Sequence, residues 1–182
     1  LLTWLPTYFH RINGIAMDKA SMKAGSIMLL AVIGAPLGGF LADAWMKKNK
    51  KARLLFPAVS SVFTGILLFI AFGFLQGTFQ YMVLLLVGIS AVAFVPSGVA
   101  VTQDVVHPGL CAVSLSLNII IQHLLGSSLA PVVIGNLSDK YGIDAALAIL
   151  PVFALLAAAM LFAGSFFYEK NLYTGRESII LQ

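Results

Sequence analysis

Charged residues fall in clumps along this chain, and long apolar stretches separate the clumps. No Asp, Glu, Lys or Arg lies between Lys23 and Asp43, Arg53 and Asp104, Asp104 and Asp139, or Asp144 and Glu169. A helix rises about 1.5 Å per residue, so about 20 apolar residues cross the roughly 30 Å of a bilayer's hydrocarbon. The gaps accommodate five such helices, placed near residues 24–45, 54–75, 79–101, 110–136 and 144–168, with Gln76-Gly77-Thr78 dividing the longest gap. Residues 1–10 continue the pattern as the end of a further helix, and 169–182 form a polar tail. That first stretch is too short to span and the chain does not begin with Met, so the expectation is a longer protein whose first helix is cut.

Composition agrees with the pattern: 60% of residues are hydrophobic and 10% charged, with a mean hydropathy of +0.98, which excludes a soluble domain. Cys111 is the sole cysteine and forms no internal disulfide. The formal charge of +4 and pI near 9.3 do not point to nucleic acid, because the excess is concentrated in one turn between two apolar runs. That turn holds Lys47, Lys48, Lys50, Lys51 and Arg53. With alternating helices, its side carries seven Lys/Arg and the opposite side four, Arg11, Lys19, Lys23 and Lys140. The bias places the turn and the C terminus in the cytoplasm, in a cell membrane.

Two short segments match at the ends of apolar helices, Gly39-Phe-Leu-Ala-Asp43 and Gly135-Asn-Leu-Ser-Asp139. Each closes the second helix of a set of three, and the derived topology runs the two helices in opposite directions. That is the layout of a 3+3 inverted repeat, a recurrent construction in secondary transporters.

The stretch Gly39-x-Leu41-Ala-Asp43-x-x-x-Lys47-Lys48 resembles the loop motif of the major facilitator superfamily, with Ala44 in place of the usual Arg and Met46 in place of the usual Gly. Trp4-Leu5-Pro6-Thr7-Tyr8 and Pro131-x-x-x-Gly135-x-Leu137-Ser138-Asp139-x-x-Gly142 fit the outer ends of helices seven and eleven of that superfamily. His123-Leu124-Leu125-Gly126, followed by Pro131 and Ile134-Gly135, is similar to its spinster-like branch, although Cys111 stands where those proteins often have Arg. The resemblance implies an all-α membrane fold, the C-terminal six-helix half of a two-half bundle with its first helix truncated. It implies a partner in the N-terminal six-helix half, and transport of a small molecule by alternating access, driven by a proton or ion as symport or antiport.

A carboxylate at a helix end can accept hydrogen bonds from the exposed N–H groups of a neighbouring helix N-terminus. By resemblance, Asp43 latches the cytoplasmic side against the other half, with Gly39, Leu41, Lys47 and Lys48 completing the gate motif. The plainer reading is an Asp43 that balances Lys47 on a wet loop and contributes little energy.

Polar side chains within spans are costly and face a bundle interior or a water-filled cavity. The spans 54–75 (Ser60, Ser61, Thr64) and 144–168 (Ser165) carry few, and read as lipid-facing scaffolds. The span 110–136 carries Ser114, Asn118 and Gln122 on one arc, with Ser116, His123 and Ser127 on a second, so one arc is expected to line a cavity and the other a helix contact. For Asn118 and Gln122, interhelical hydrogen bonding and substrate contact are equally good readings. His123 is a candidate proton carrier; a neutral imidazole donating to a carbonyl is the commoner role. Trp4 and Tyr8, one turn apart, are either anchors in an interfacial aromatic belt or cavity walls. Pro96-Ser97-Gly98 marks either a gate or a packing point. The sequon Asn136-Leu137-Ser138 abuts the membrane and is discounted.

A secondary transporter half accounts best for repeat, motif and graded polarity. A structural half kept for assembly is the alternative. No HExxH, GxSxG or paired intramembrane carboxylates suggest an enzyme, and no cofactor or metal is called for. The resemblance suggests as substrate either an amphiphile such as a lysolipid or a small organic anion.

Overall fold

The computed structural model describes residues 2–49 and 51–168. The first helix, α1 (Leu5–Asn13), has Pro6 in its first turn, where a missing N–H costs nothing. It stops at Gly14, whose φ of 62° lies in the left-handed region that closes helices. Helix α2 (Met17–Met46) begins seven residues before the apolar run. Hydropathy marks only the part fit for hydrocarbon, whereas Asp18, Lys19 and Lys23 are carried on the same helix as readily as apolar residues. Lys23 Nζ lies 5.4 Å from the Tyr81 ring centroid, and Ser26 Oγ and Tyr81 Oη are hydrogen-bonded at 2.6 Å.

The basic turn leads to α3 (Ala52–Gly73), and Gly77, at φ 66°, opens α4 (Gly77–Ala93). The span expected over 79–101 is broken at Phe94 ahead of Pro96, giving α5 (Val95–Asp104). The span expected over 110–136 is longer and less regular. A 3-10 turn (Pro108–Leu110) leads into α6 (Cys111–Ile121), then a π-helical segment (Gln122–Leu129), then α7 (Ala130–Tyr141). After Gly142 come α8 (Ile143–Ala148) and α9 (Leu150–Tyr168), separated just before Pro151. Among the described residues, five helical stretches, two of them interrupted by a turn residue, are long and apolar enough to cross a membrane: Met17–Met46, Ala52–Gly73, Gly77–Asp104, Pro108–Tyr141 and Ile143–Tyr168.

Small residues let α2 and α4 touch backbone to backbone. A β-carbon on Gly34 would stand 2.2 Å from the Ile89 carbonyl oxygen, and one on Gly38 would stand 1.9 Å from that of Ala93. Small residues four apart permit such close crossings between helices in lipid, where dispersion replaces the hydrophobic drive. The buried core gathers around α1: Leu5 and Phe9 are fully buried against Ile27 of α2, Leu84 of α4 and Leu147 of α8.

Helix α3 packs inward on one face and leaves apolar side chains outward on the other, where Val59, Phe63, Ile66 and Phe69 are each about half exposed. Half of its apolar window is buried, the largest share of any span, and it packs on α2, α4, α5, α8 and α9. Its hydroxyls explain this, since Ser60 Oγ donates to the Ser90 carbonyl at 2.9 Å and Thr64 Oγ1 donates to Ser90 Oγ at 2.9 Å. Few polar residues did not exclude a packed face beside the lipid-facing one, because apolar surfaces pack together in a membrane as readily as they meet lipid. The span 108–141 stands at the other extreme, with 6% of its window buried.

The helix ends divide into two faces. The basic turn, the end of α5 and the end of α9 meet at one, where Arg53, Asp104 and Tyr168 are bonded. Ile12, Phe74 and Asp144 meet around a cavity at the other. Asp43 and Asp139 therefore sit at opposite ends of the bundle.

Candidate functional site

The irregular span centred on residue 122 carries the densest polar set. At its start the His107 imidazole Nδ1 accepts from the Gly109 N–H at 3.1 Å and caps the 3-10 turn. One turn into α6, Ser114 Oγ donates to the Thr102 carbonyl at 2.9 Å, pinning α6 to α5. Ser114 is thereby committed to a helix contact. Asn118 and Gln122, the next two positions on the same arc, border a cavity of about 500 Å³ together with Phe94, Gly98, Thr102 and Leu161. The structure brings all three arc residues together against α5. Asn118 is half-buried and Gln122 exposed.

From Gln122 the chain widens into the π-helical segment, and Ser128 Oγ donates to the His123 carbonyl at 3.1 Å. Such segments put side chains out of the ordinary helical register and frequently occur at functional sites. His123 is exposed and borders neither the Asn118 cavity nor the one on the second arc. That second cavity, about 400 Å³, is bounded by Trp4, Gly88, Gly126, Ser127 and Pro131. Both arcs thus border open space, and neither is wholly a helix contact.

Trp4 and Tyr8 part company. The Trp4 ring packs over Gly135, where a β-carbon would lie 3.4 Å away, and its buried indole N–H has no hydrogen-bond partner among the described residues. Tyr8 is 5% exposed and meets α4 instead, its Oη accepting from Gln80 Nε2 at 2.7 Å. Gln80 Nε2 also donates to the Ala71 carbonyl at 2.9 Å. The structure does not bring Tyr8 to Asn118 and Gln122.

The gate motif lies at the end of α2. Gly39 faces Pro96, with ordinary room for a β-carbon at 3.6 Å, while Leu41, Asp43, Lys47 and Lys48 are exposed. The Lys47 N–H donates to the Asp43 carbonyl at 3.3 Å, extending the helix into the turn. Asp43 is also close enough to Arg53 for the two charges to interact.

Sequence reading missed the Arg53–Asp104–Tyr168 group. Arg53 Nη1 donates to both carboxylate oxygens of Asp104, and Tyr168 Oη donates to Asp104 Oδ2 at 2.5 Å. The group ties the start of α3 to the ends of α5 and α9. The one available signal was an isolated acid, Asp104, in a charge-free stretch otherwise running from Arg53 to Asp139. The Tyr8–Gln80 pair was also missed, and its signal was an amide inside an apolar span.

No family model matches the chain. It is 35% identical over 71 residues to the probable sulfoacetate transporter SauU of Cupriavidus necator, a match covering 38% of this chain and 16% of that protein. It is 28% identical over 153 residues to the uncharacterized transporter YybO of Bacillus subtilis, covering 78% of this chain and 33% of that protein. The matched segments thus span at most a third of these curated relatives. Among the described residues the chain is all-helical; it is a multi-pass membrane protein, and its likeness to proteins named as transporters supports a transporter role in general.

Proposed function

We propose that the chain is the C-terminal half of a secondary active transporter of the major facilitator type. In this reading it pairs with an N-terminal six-helix half and moves a small molecule by alternating access. The observation that carries the reading is the exposure of Gln122, His123 and Ser127 on a membrane-spanning stretch that is 6% buried. Such side chains are too costly to leave against lipid, so this face meets a water-filled path or another protein element. A second half with the substrate route between the halves satisfies both. The repeated G-x-L-x-D segments at opposite ends support a 3+3 inverted arrangement. Asn118 and Gln122 are then substrate contacts, with Trp4 on the adjoining cavity, and His123 is the proton carrier. Asp43 is the gate latch, with the basic turn and C terminus in the cytoplasm.

Two substrate classes each have an observation behind them. The relative named for sulfoacetate points to a small organic anion. The cavity bordered by Asn118 and Gln122 offers neutral amides among apolar walls, which suits an amphiphile such as a lysolipid. The test is uptake by the full-length transporter in vesicles, against a panel of sulfonates, carboxylates and lysolipids, with and without a proton gradient. Gradient-driven uptake of one class, lowered by Gln122→Ala, is the expected result. No uptake of any panel member, with no effect of Asn118→Ala or Gln122→Ala on assembly, would favour the structural half.

A further inference from the structure

A groove of about 600 Å³ runs between α3 and α9. Its walls are apolar, with Ala58, Val62 and Ile66 on α3 and Leu155, Ala159 and Phe162 on α9. It is open to the surroundings, since Ile66 is 49% and Phe162 53% exposed. Lys51 is the residue just before α3, with helical φ and ψ, and at about 100° per residue it falls in line with Ala58 and Val62, two and three turns further on. In sequence, residues 38–53 carry four lysines and Arg53 against a single acid, Asp43, and Arg53 is committed to Asp104, which leaves the charge excess of the turn to its lysines, among them Lys47, Lys48 and Lys51.

Depth along the helix completes the match. At about 1.5 Å per residue, the groove begins about 10 Å from Lys51 and ends about 22 Å from it. Headgroups occupy about 6 Å on each side of a bilayer whose hydrocarbon is roughly 30 Å thick, so one leaflet's tails reach about 15 Å further. With Lys51 at headgroup level, the groove therefore runs through the tail region of a single leaflet and stops near the midplane.

We propose that this groove and the basic turn form one site for an anionic phospholipid, with an acyl chain between α3 and α9 and the phosphate among the lysines. The charge excess selects the headgroup, and the apolar walls hold the tail. A zwitterionic lipid fills the groove equally well but gains little from the turn. Juxtamembrane lysines each strengthen attachment to anionic lipid by about fivefold.

Native mass spectrometry of the detergent-solubilised full-length transporter tests this. The probes are palmitoyl-oleoyl phosphatidylglycerol, the matching phosphatidylcholine, and glycerol phosphate. Phosphatidylglycerol should bind at least about tenfold more tightly than phosphatidylcholine, with no displacement by glycerol phosphate. The triple variant K47Q/K48Q/K51Q should erase that preference and leave phosphatidylcholine binding in place. Val62→Trp, which fills the groove, should weaken both lipids, and Ala159→Phe does the same from α9 should the first variant fail to assemble. A preference that survives the triple variant, lipid retention unchanged by filling the groove, or displacement by glycerol phosphate would each overturn the proposal.

Discussion

Both oxygens of the Asp104 carboxylate accept from a single nitrogen of Arg53, a residue 51 positions earlier in the chain. The two side chains are each 23% exposed, so the pair is neither a loose surface contact nor fully desolvated. With Tyr168 on the same carboxylate, three helix ends are held at one point.

Asp104→Asn keeps the shape and removes the charge, and should cost about 1–3 kcal/mol, as for hydrogen bonds to charged groups. A fall in unfolding temperature of the detergent-solubilised protein measures it. Arg53→Lys should retain more stability than Arg53→Gln, because one nitrogen already serves both oxygens. A double-mutant cycle that shows no coupling would dissolve the tie.

Adjacent glycines should respond oppositely to the same change. Gly38→Ala drives a β-carbon to 1.9 Å from a backbone oxygen of Ala93, while Gly39→Ala meets Pro96 at 3.6 Å. Overpacking of this kind costs typically about 1–3 kcal/mol and more where backbone must move. Gly38→Ala should sharply lower the yield of monodisperse protein on size exclusion. Gly39→Ala should match the parent; equal losses from the two would contradict the α2–α4 crossing.

Tyr8 and Asn118 separate packing from substrate contact. Tyr8→Phe removes an acceptor from buried Gln80 and should cost about 1 kcal/mol of stability with little change in substrate affinity. Asn118→Ala, facing the cavity, should weaken substrate binding about two- to tenfold with little loss of stability. Binding and melting curves on the same preparations read both quantities, and the reverse pattern would move the site to the Tyr8 end.

Asp43→Asn addresses the latch. Attraction between a carboxylate and a helix N-terminus is worth about 0.3–1 kcal/mol, up to about 2 when partly buried. Its loss should shift the population toward the state open on the basic-turn side, by up to about tenfold for 1.4 kcal/mol. Cysteine accessibility from that side should rise while affinity within one conformation stays fixed. Unchanged accessibility with full transport would leave Asp43 a solvated helix-end residue.

The sequence by itself determined that this chain crosses a membrane, and roughly where. Charges are expensive in hydrocarbon, so their spacing writes the spans directly: Lys23 to Asp43 and Asp144 to Glu169 each mark one span. It also placed Ser114, Asn118 and Gln122 on one arc, since helical periodicity is local. Two things were decided only by the tertiary structure. Helix boundaries ran past the apolar limits, as at Met17 and Tyr141, because hydrogen bonding rather than hydropathy ends a helix. Helix neighbours were illegible as well. In lipid an apolar face packs against a helix or a lipid tail alike, so no pattern announced that one face of α3 would pack on five other helices or that Tyr8 would find Gln80. Arg53, Asp104 and Tyr168 lie far apart in sequence, and only the packing that sets the start of α3 beside the ends of α5 and α9 brings them to one place.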